Sequence, residues 1–307
     1  PSFTQNHFIF QEALFMKPVY LAGAVRTPIG KFGGALADWT AADMGVAAAQ
    51  ETLKRSGVPA DAVEEVIIGC ARQAGGGPNV GRQIGYRSGI PETVPASTIN
   101  QACGSGLKSI ILAAQEIMLG QAEVVLAGGT ESMSRVPYFA EGARWGARLG
   151  DTKLVDGMYR DGFACPLAGI LMGETAENLA QIHEISRDEQ DEYALRSHHR
   201  AAAAEAAGNF SAERMTLTRT DAKGREVVVA KDEHLRMGVT KPDLAKLPPV
   251  FSKTGTVAAG NSSGITDGAA ALLVMTAERA AKLGYEPLAT LGHATEAGVA
   301  PEIMGVG

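Results

Sequence analysis

Cysteine is scarce in this 307-residue chain, which contains only Cys70, Cys103 and Cys165. An odd count without metal-ligand spacing excludes a disulfide framework and a cysteine-rich metal site, and it points to a reducing, cytoplasmic compartment. Basic charge is not in excess: 28 Lys and Arg stand against 34 Asp and Glu, a formal net charge of -6. With no dense basic block, the chain lacks the cationic face that nucleic-acid binding requires. No apolar run approaches the roughly 20 residues that span a bilayer, so no membrane partner is expected. Residues 1–15 contain no Lys or Arg, which is wrong for a targeting segment, and Met16-Lys17-Pro18 resembles a natural start. Residues 1–15 therefore read as a non-native leader.

What is present is an ordinary globular composition, 45% hydrophobic and 20% charged with 37 glycines, long enough for one large or two modest domains. Strands predicted at Val19–Val25, Glu65–Gly69, Val94–Ala102 and Glu123–Gly128 alternate with helices at Thr40–Arg55 and Asn79–Ser88. That alternation argues for an α/β domain around a largely buried sheet. From about Arg135 to Gly260 the chain is more polar. Ser186 and Glu189 there form a capping box that opens a helix running to Gly208, and Lys241–Pro249, with three prolines, is expected to be extended and exposed. Gly268–Met275 reads as a strand buried on both faces, followed by a helix over Ala277–Lys282.

The most informative run is Ile99-Asn100-Gln101-Ala102-Cys103-Gly104-Ser105-Gly106-Leu107-Lys108-Ser109. A short β-prone segment precedes it, and Leu107, Ile110, Ile111, Ala114, Ile117 and Met118 follow at helical spacing. A cysteine on a strand-to-helix turn lies at the positive end of the helix, beside unpaired N–H groups that favour a thiolate and an oxyanion. On local pattern alone a nucleophile and a buried structural cysteine both remain open. Two look-alike motifs fail. Gly23 and Gly30 are too far apart for a phosphate loop, and Gly75-Gly76-Gly77-Pro78 lacks the order of a dinucleotide site.

The run around Cys103 resembles the nucleophile motif of the thiolases. Val25-Arg26-Thr27-Pro28-Ile29-Gly30, Ala127-Gly128-Gly129-Thr130-Glu131-Ser132-Met133-Ser134, Met172-Gly173-Glu174-Thr175-Ala176-Glu177-Asn178 and Ala259-Gly260-Asn261-Ser262-Ser263-Gly264 resemble further family segments in family order. The resemblance implies an α/β fold of the layered α-β-α-β-α sandwich type. Residues 16–134 and 264–284 would form its first half, 135–263 an inserted CoA-binding loop domain, and 285–307 the beginning of a second half mostly missing here. Pro287–Ala294 would be that half's first strand.

By the same resemblance the activity is acyl transfer: thiolytic cleavage of 3-ketoacyl-CoA, or the reverse condensation of acetyl-CoA, through an acyl-Cys103. CoA and acyl-CoA would be substrates, with no other cofactor and no metal, in a homodimer or homotetramer serving fatty acid metabolism. Arg236 would meet the adenine or ribose end of CoA, Ser263 and Ala259 the pantetheine arm, and Phe251 the tail. Met172 would lie near the thiol end, and Met304 would border the acyl pocket. Leu171 stands where acetoacetyl-CoA-forming members carry histidine, which argues against that narrow specificity. The family's Gly-His-Pro, Cys-x-Gly and Asn-Glu-Ala-Phe segments do not occur in this sequence. His293, in Leu291-Gly292-His293-Ala294, would sit on the first strand of the second half and does not match Gly-His-Pro, while His183, His198, His199 and His234 belong to the loop region and read as surface or helix-face residues. The alternative is thus a noncatalytic CoA-binding fragment, and this chain by itself is expected to acylate Cys103 little or not at all. A cysteine hydrolase is disfavoured because no His–Asn or His–Asp set accompanies Cys103.

Overall fold

A computed structural model describes residues 18–220 and 223–307, so the leader read over residues 1–15 lies outside the described residues. The chain begins with β1 (Val19–Arg26), the two-residue β2 (Gly30–Lys31), α1 (Ala41–Ser56), β3 (Glu65–Gly69) and α2 (Val80–Arg87). Next come β4 (Ala96–Ile99), α3 (Ser105–Leu119) and β5 (Val124–Ser132). An excursion then carries the pair β6 (Tyr138–Ala140) and β7 (Leu154–Asp156), and helices α4 (Met172–Ile182) and α5 (Arg187–Ala206). It continues through the pair β8 (Leu217–Thr220) and β9 (Glu226–Val229) to α6 (Lys241–Ala245). The chain ends with β10 (Thr266–Thr276), α7 (Ala277–Lys282), β11 (Ala289–Thr290) and a 3-10 turn over Pro301–Val306.

One mixed sheet runs β11-β1-β10-β5-β3-β4, with β2 paired to the end of β10. β3 lies parallel to β4 and β5, whereas β10 is antiparallel to both β5 and β1. The period of two along each strand divides the core. Val66, Ile68, Val124, Leu126 and Leu273 pack with α1 and α2, while Ile67, Val125, Ala127 and Val274 pack with α3. Each large aliphatic buried this way contributes about 1.5–3 kcal/mol. Alanines along α1 let it lie close on the sheet. The helix starts where Thr40 accepts from Asp43 N–H at 3.0 Å and Asp43 accepts from Thr40 N–H at 3.3 Å. The Ser186–Glu189 box opens α5 as its sequence predicts.

Three expectations are corrected. Lys241–Pro249 is not wholly extended and exposed: its first five residues form α6, with Leu244 buried. Thr240 and Asp243 cap that turn, and Pro242 sits in the first turn, where its missing N–H has no helical partner to lose. β10 is not buried on both faces throughout, since Ala270 is exposed and lines the cleft at Cys103. Within 287–294 the strand is shorter than expected: only Ala289–Thr290 is a strand, and it pairs with Leu21 and Tyr20 at the edge of this sheet.

Charge pairing ties the excursion to the sheet. Arg26, ending β1, donates to both oxygens of Asp232 at 2.9 and 3.0 Å and to Glu213 at 2.6 Å. Asp232 also accepts from Ile29 N–H at 2.8 Å and from Arg214 at 3.1 Å. Burial alone would raise the pKa of Asp232, but hydrogen bonds from Arg26 and Ile29 outweigh it and hold the carboxyl below its ordinary value. A carboxyl depressed in the folded state stabilises the fold above its unfolded value of about 4 and loses that contribution as pH falls through the folded value. Asp232→Asn is therefore expected to lower the urea midpoint near neutral pH and to flatten its decline below about pH 4, measured by denaturation across pH. An unchanged pH profile would contradict this role.

Candidate active site

The junction from β4 to α3 puts Cys103 at the mouth of a cleft. Two hydrogen-bonded turns carry the chain across: Gly104 N–H donates to Gln101 O at 3.0 Å and Ser105 N–H to Ala102 O at 3.1 Å. Asn100 Oδ1 accepts from Ala102 N–H at 2.9 Å, holding Ala102 at a φ of 48°, a left-handed conformation rare for alanine. Ser105 Oγ accepts from Gln101 N–H at 2.8 Å and lies 2.6 Å from Ala102 O, which locks the loop against the helix start. The result leaves Cys103 exposed, two residues before α3, as a nucleophile requires and a structural core cysteine would not show.

Close backbone approach makes this seat possible. A Cβ on Gly69, at the end of β3, would lie 2.3 Å from the carbonyl carbon of Ser105. Only glycine lets the first turn of α3 settle there. The hydroxyl of Ser109, one turn along α3, stands 2.7 Å from Gly106 O and from Gly128 O and accepts from Gly128 N–H at 3.0 Å, fastening α3 to β5.

The cleft encloses about 440 Å³ between the ends of β1, β3, β5 and β10 and the cysteine loop. Cys70, Arg72, Glu131 and Asp267 also line it, and the last three carry no site signal of their own in the sequence. Glu131 and Asp267 lie in segments, 127–134 and 259–270, that resemble the thiolases. Glu131 accepts from Ala71 N–H at 3.0 Å and Arg72 N–H at 2.8 Å, with the Cys70 thiol 3.6 Å away. Asp267 is engaged by the N–H and hydroxyl of Ser134. Burial, then the Glu131 charge, push the Cys70 thiol up to about 12. No histidine lines the cleft among the described residues. Nor do three or more His, Cys, Asp or Glu cluster there to hold a metal ion.

The six binding residues expected from sequence lie outside the cleft lining and gather around α4 and the segment leading into β10. Met172 opens α4, and the Phe251 ring packs on the next residue, where a Cβ on Gly173 would be 2.1 Å from the ring. Met304, exposed, belongs to the 3-10 turn held to α4 by Asn178 Nδ2 donating to Glu302 O at 2.9 Å. Ala259 and Ser263 are exposed on a segment fixed by Glu177, which accepts from Val257 N–H at 2.9 Å, and by Asn261, which donates to Asp191 at 3.0 Å. Arg236 is exposed nearby. Its segment is pinned by His234, whose ring lies against Gly264 and whose Nε2 is 3.1 Å from Ile265 O. Burial, then the charges of Arg236 and His199, hold the His198 pKa down.

This arrangement, an exposed cysteine at a strand-to-helix turn at the mouth of a cleft, is that of an acyl-transfer enzyme using a covalent cysteine. Residues 19–278 match the family described as thiolase, N-terminal domain. The chain is 46% identical over 292 residues to an acetyl-CoA acetyltransferase of Cupriavidus necator, covering 95% of this chain and 74% of that one. It is also 46% identical over 291 residues to a probable acetyl-CoA acyltransferase of Staphylococcus aureus, with the same coverage. Among solved structures it superposes on Bacillus anthracis acetyl-CoA acetyltransferase with a TM-score of 0.92 at 44% identity, covering 95% of this chain and 74% of that one. Human mitochondrial 3-ketoacyl-CoA thiolase in complex with CoA gives 0.90 at 42%, covering 95% and 73%. The chain belongs to the thiolase family and has the thiolase fold. No helix among the described residues is long and apolar enough to cross a membrane.

The exposures and thiol environments predict selective chemistry. At pH 8, iodoacetamide is expected to alkylate Cys103 while leaving Cys70 unmodified in the folded protein, read by peptide mass mapping. Faster labelling of Cys70 than of Cys103 would contradict the placement of both.

Proposed function

We propose that this chain is a thiolase-type acyltransferase in which Cys103 carries the acyl group. In thiolysis the Cys103 sulfur attacks the C3 carbonyl of a 3-ketoacyl-CoA. The C2–C3 bond breaks, its electron pair passes to C2, and protonation there releases acetyl-CoA. The thiol of a second CoA then attacks the acyl-cysteine thioester, giving the shortened acyl-CoA and returning the cysteine. Condensation is the same sequence reversed. The observation that carries this reading is the exposed Cys103 on a rigid turn at the start of α3, where first-turn N–H groups favour developing negative charge.

The loop region 135–263 serves CoA in this reading. Arg236 meets the nucleotide end, with Ser263 and Ala259 along the pantetheine arm, Phe251 beside the tail, and Met172 and Met304 near the acyl end. Arg236, exposed and close enough to help hold the His198 pKa down, supports a phosphate-bearing ligand on that face. The reaction needs no cofactor beyond its CoA substrates. We further propose a cytoplasmic homodimer or homotetramer acting in fatty acid metabolism.

Binding can be read apart from turnover. Acetyl-CoA is expected to slow alkylation of Cys103 by iodoacetamide, and Arg236→Ala is expected to raise the concentration needed by about tenfold while leaving the unprotected rate unchanged. Absence of protection by any CoA ester would overturn the CoA-ester reading.

A further inference from the structure

Two arginines line the cleft at Cys103, and their situations differ. Arg26 is neutralised by Asp232 and Glu213. Among the described residues Arg72 has no such partner. Its backbone is fixed, since its N–H donates to Glu131 and the neighbouring Ala71 O accepts from Asn100 Nδ2 at 3.2 Å, which draws this turn alongside the cysteine loop. Its guanidinium lies against residue 162, where a Cβ on Gly162 would stand 2.4 Å from Nη2 and 2.6 Å from Nε. Nε is buried without a hydrogen-bond partner among the described residues. The two cleft carboxylates do not pair with the guanidinium: Glu131 is held by backbone N–H groups and Asp267 by Ser134.

A positioned guanidinium without a counter-charge is costly to keep in a partly buried cleft, and a planar fork of donors matches a carboxylate. We infer that Arg72 is a specificity-determining residue that receives the free carboxylate of the acyl chain, so the cleft favours dicarboxylic acyl-CoA esters over uncharged ones of equal length. The inference rests on the CoA-ester reading above. It gives the acyl side of the cleft a charge preference that the nucleophile alone does not set. A site that leaves a polar group unpaired with the wrong substrate discriminates against that substrate.

The test compares succinyl-CoA with butyryl-CoA as protectants of Cys103 against iodoacetamide. Succinyl-CoA is expected to half-protect at a concentration about tenfold lower. Arg72→Gln is expected to bring the two esters together, and Arg72→Lys to keep part of the preference, with circular dichroism confirming that both variants fold. Equal protection in the unmodified protein, or a preference that survives in Arg72→Gln, would overturn the assignment while leaving CoA-ester binding intact. Failure of both esters to protect would overturn the CoA-ester reading and this inference with it.

Discussion

The molecule depends on how closely the first turn of α3 sits on the end of β3. No side chain at residue 69 could coexist with the Ser105 carbonyl carbon at its present position. The Ser109 hydroxyl, fixed between Gly106 and Gly128, holds the same turn against β5. These contacts fix the height and tilt of the helix, and with them the position of the loop that carries Cys103. A cysteine that must meet a carbonyl carbon and stay exposed gains most from a backbone that cannot shift by even an ångström.

The rest of the chain is arranged around that seat. α1 and α2 brace one face of the sheet and α3 the other, so strand ends from β1, β3, β5 and β10 converge beside the cysteine. The excursion from residue 133 to 265 leaves from β5 and returns through β10. Its loops are held by buried or half-buried carboxylates, Glu177, Asp191 and Asp232, that accept backbone or amide hydrogens. The surface assigned to CoA and the nucleophile are thereby linked through a single strand: Ser263 lies just before β10, and Asp267 to Ala270 on that strand line the cleft.

Much of this was legible in the sequence because the deciding signals are local. The β-prone run before Cys103 and the helical spacing after it are realised as β4 and α3, and the Ser186–Glu189 box opens α5. What escaped depends on contacts made at a distance. Three prolines over 241–249 argue for an extended segment, yet capping by Asp243 and burial of Leu244 produce a helix. The apolar run of β10 cannot reveal that Ala270 opens onto the cleft at Cys103. Arg72 has no local signature at all: its significance comes from Nε having no partner among the described residues and from its lying in the same cleft as Cys103, which only the folded chain brings about.

The central claim is that this turn delivers Cys103 to the reactive end of a CoA-borne group. Bromoacetyl-CoA tests it most directly, because its bromide is displaced by a thiol without needing any base to complete a turnover. The account predicts alkylation of Cys103 alone, at a rate well above that of bromoacetamide at equal concentration, with Cys70 and Cys165 untouched. Equal rates for the two reagents, or modification at Cys70 or Cys165 in preference to Cys103, would contradict it.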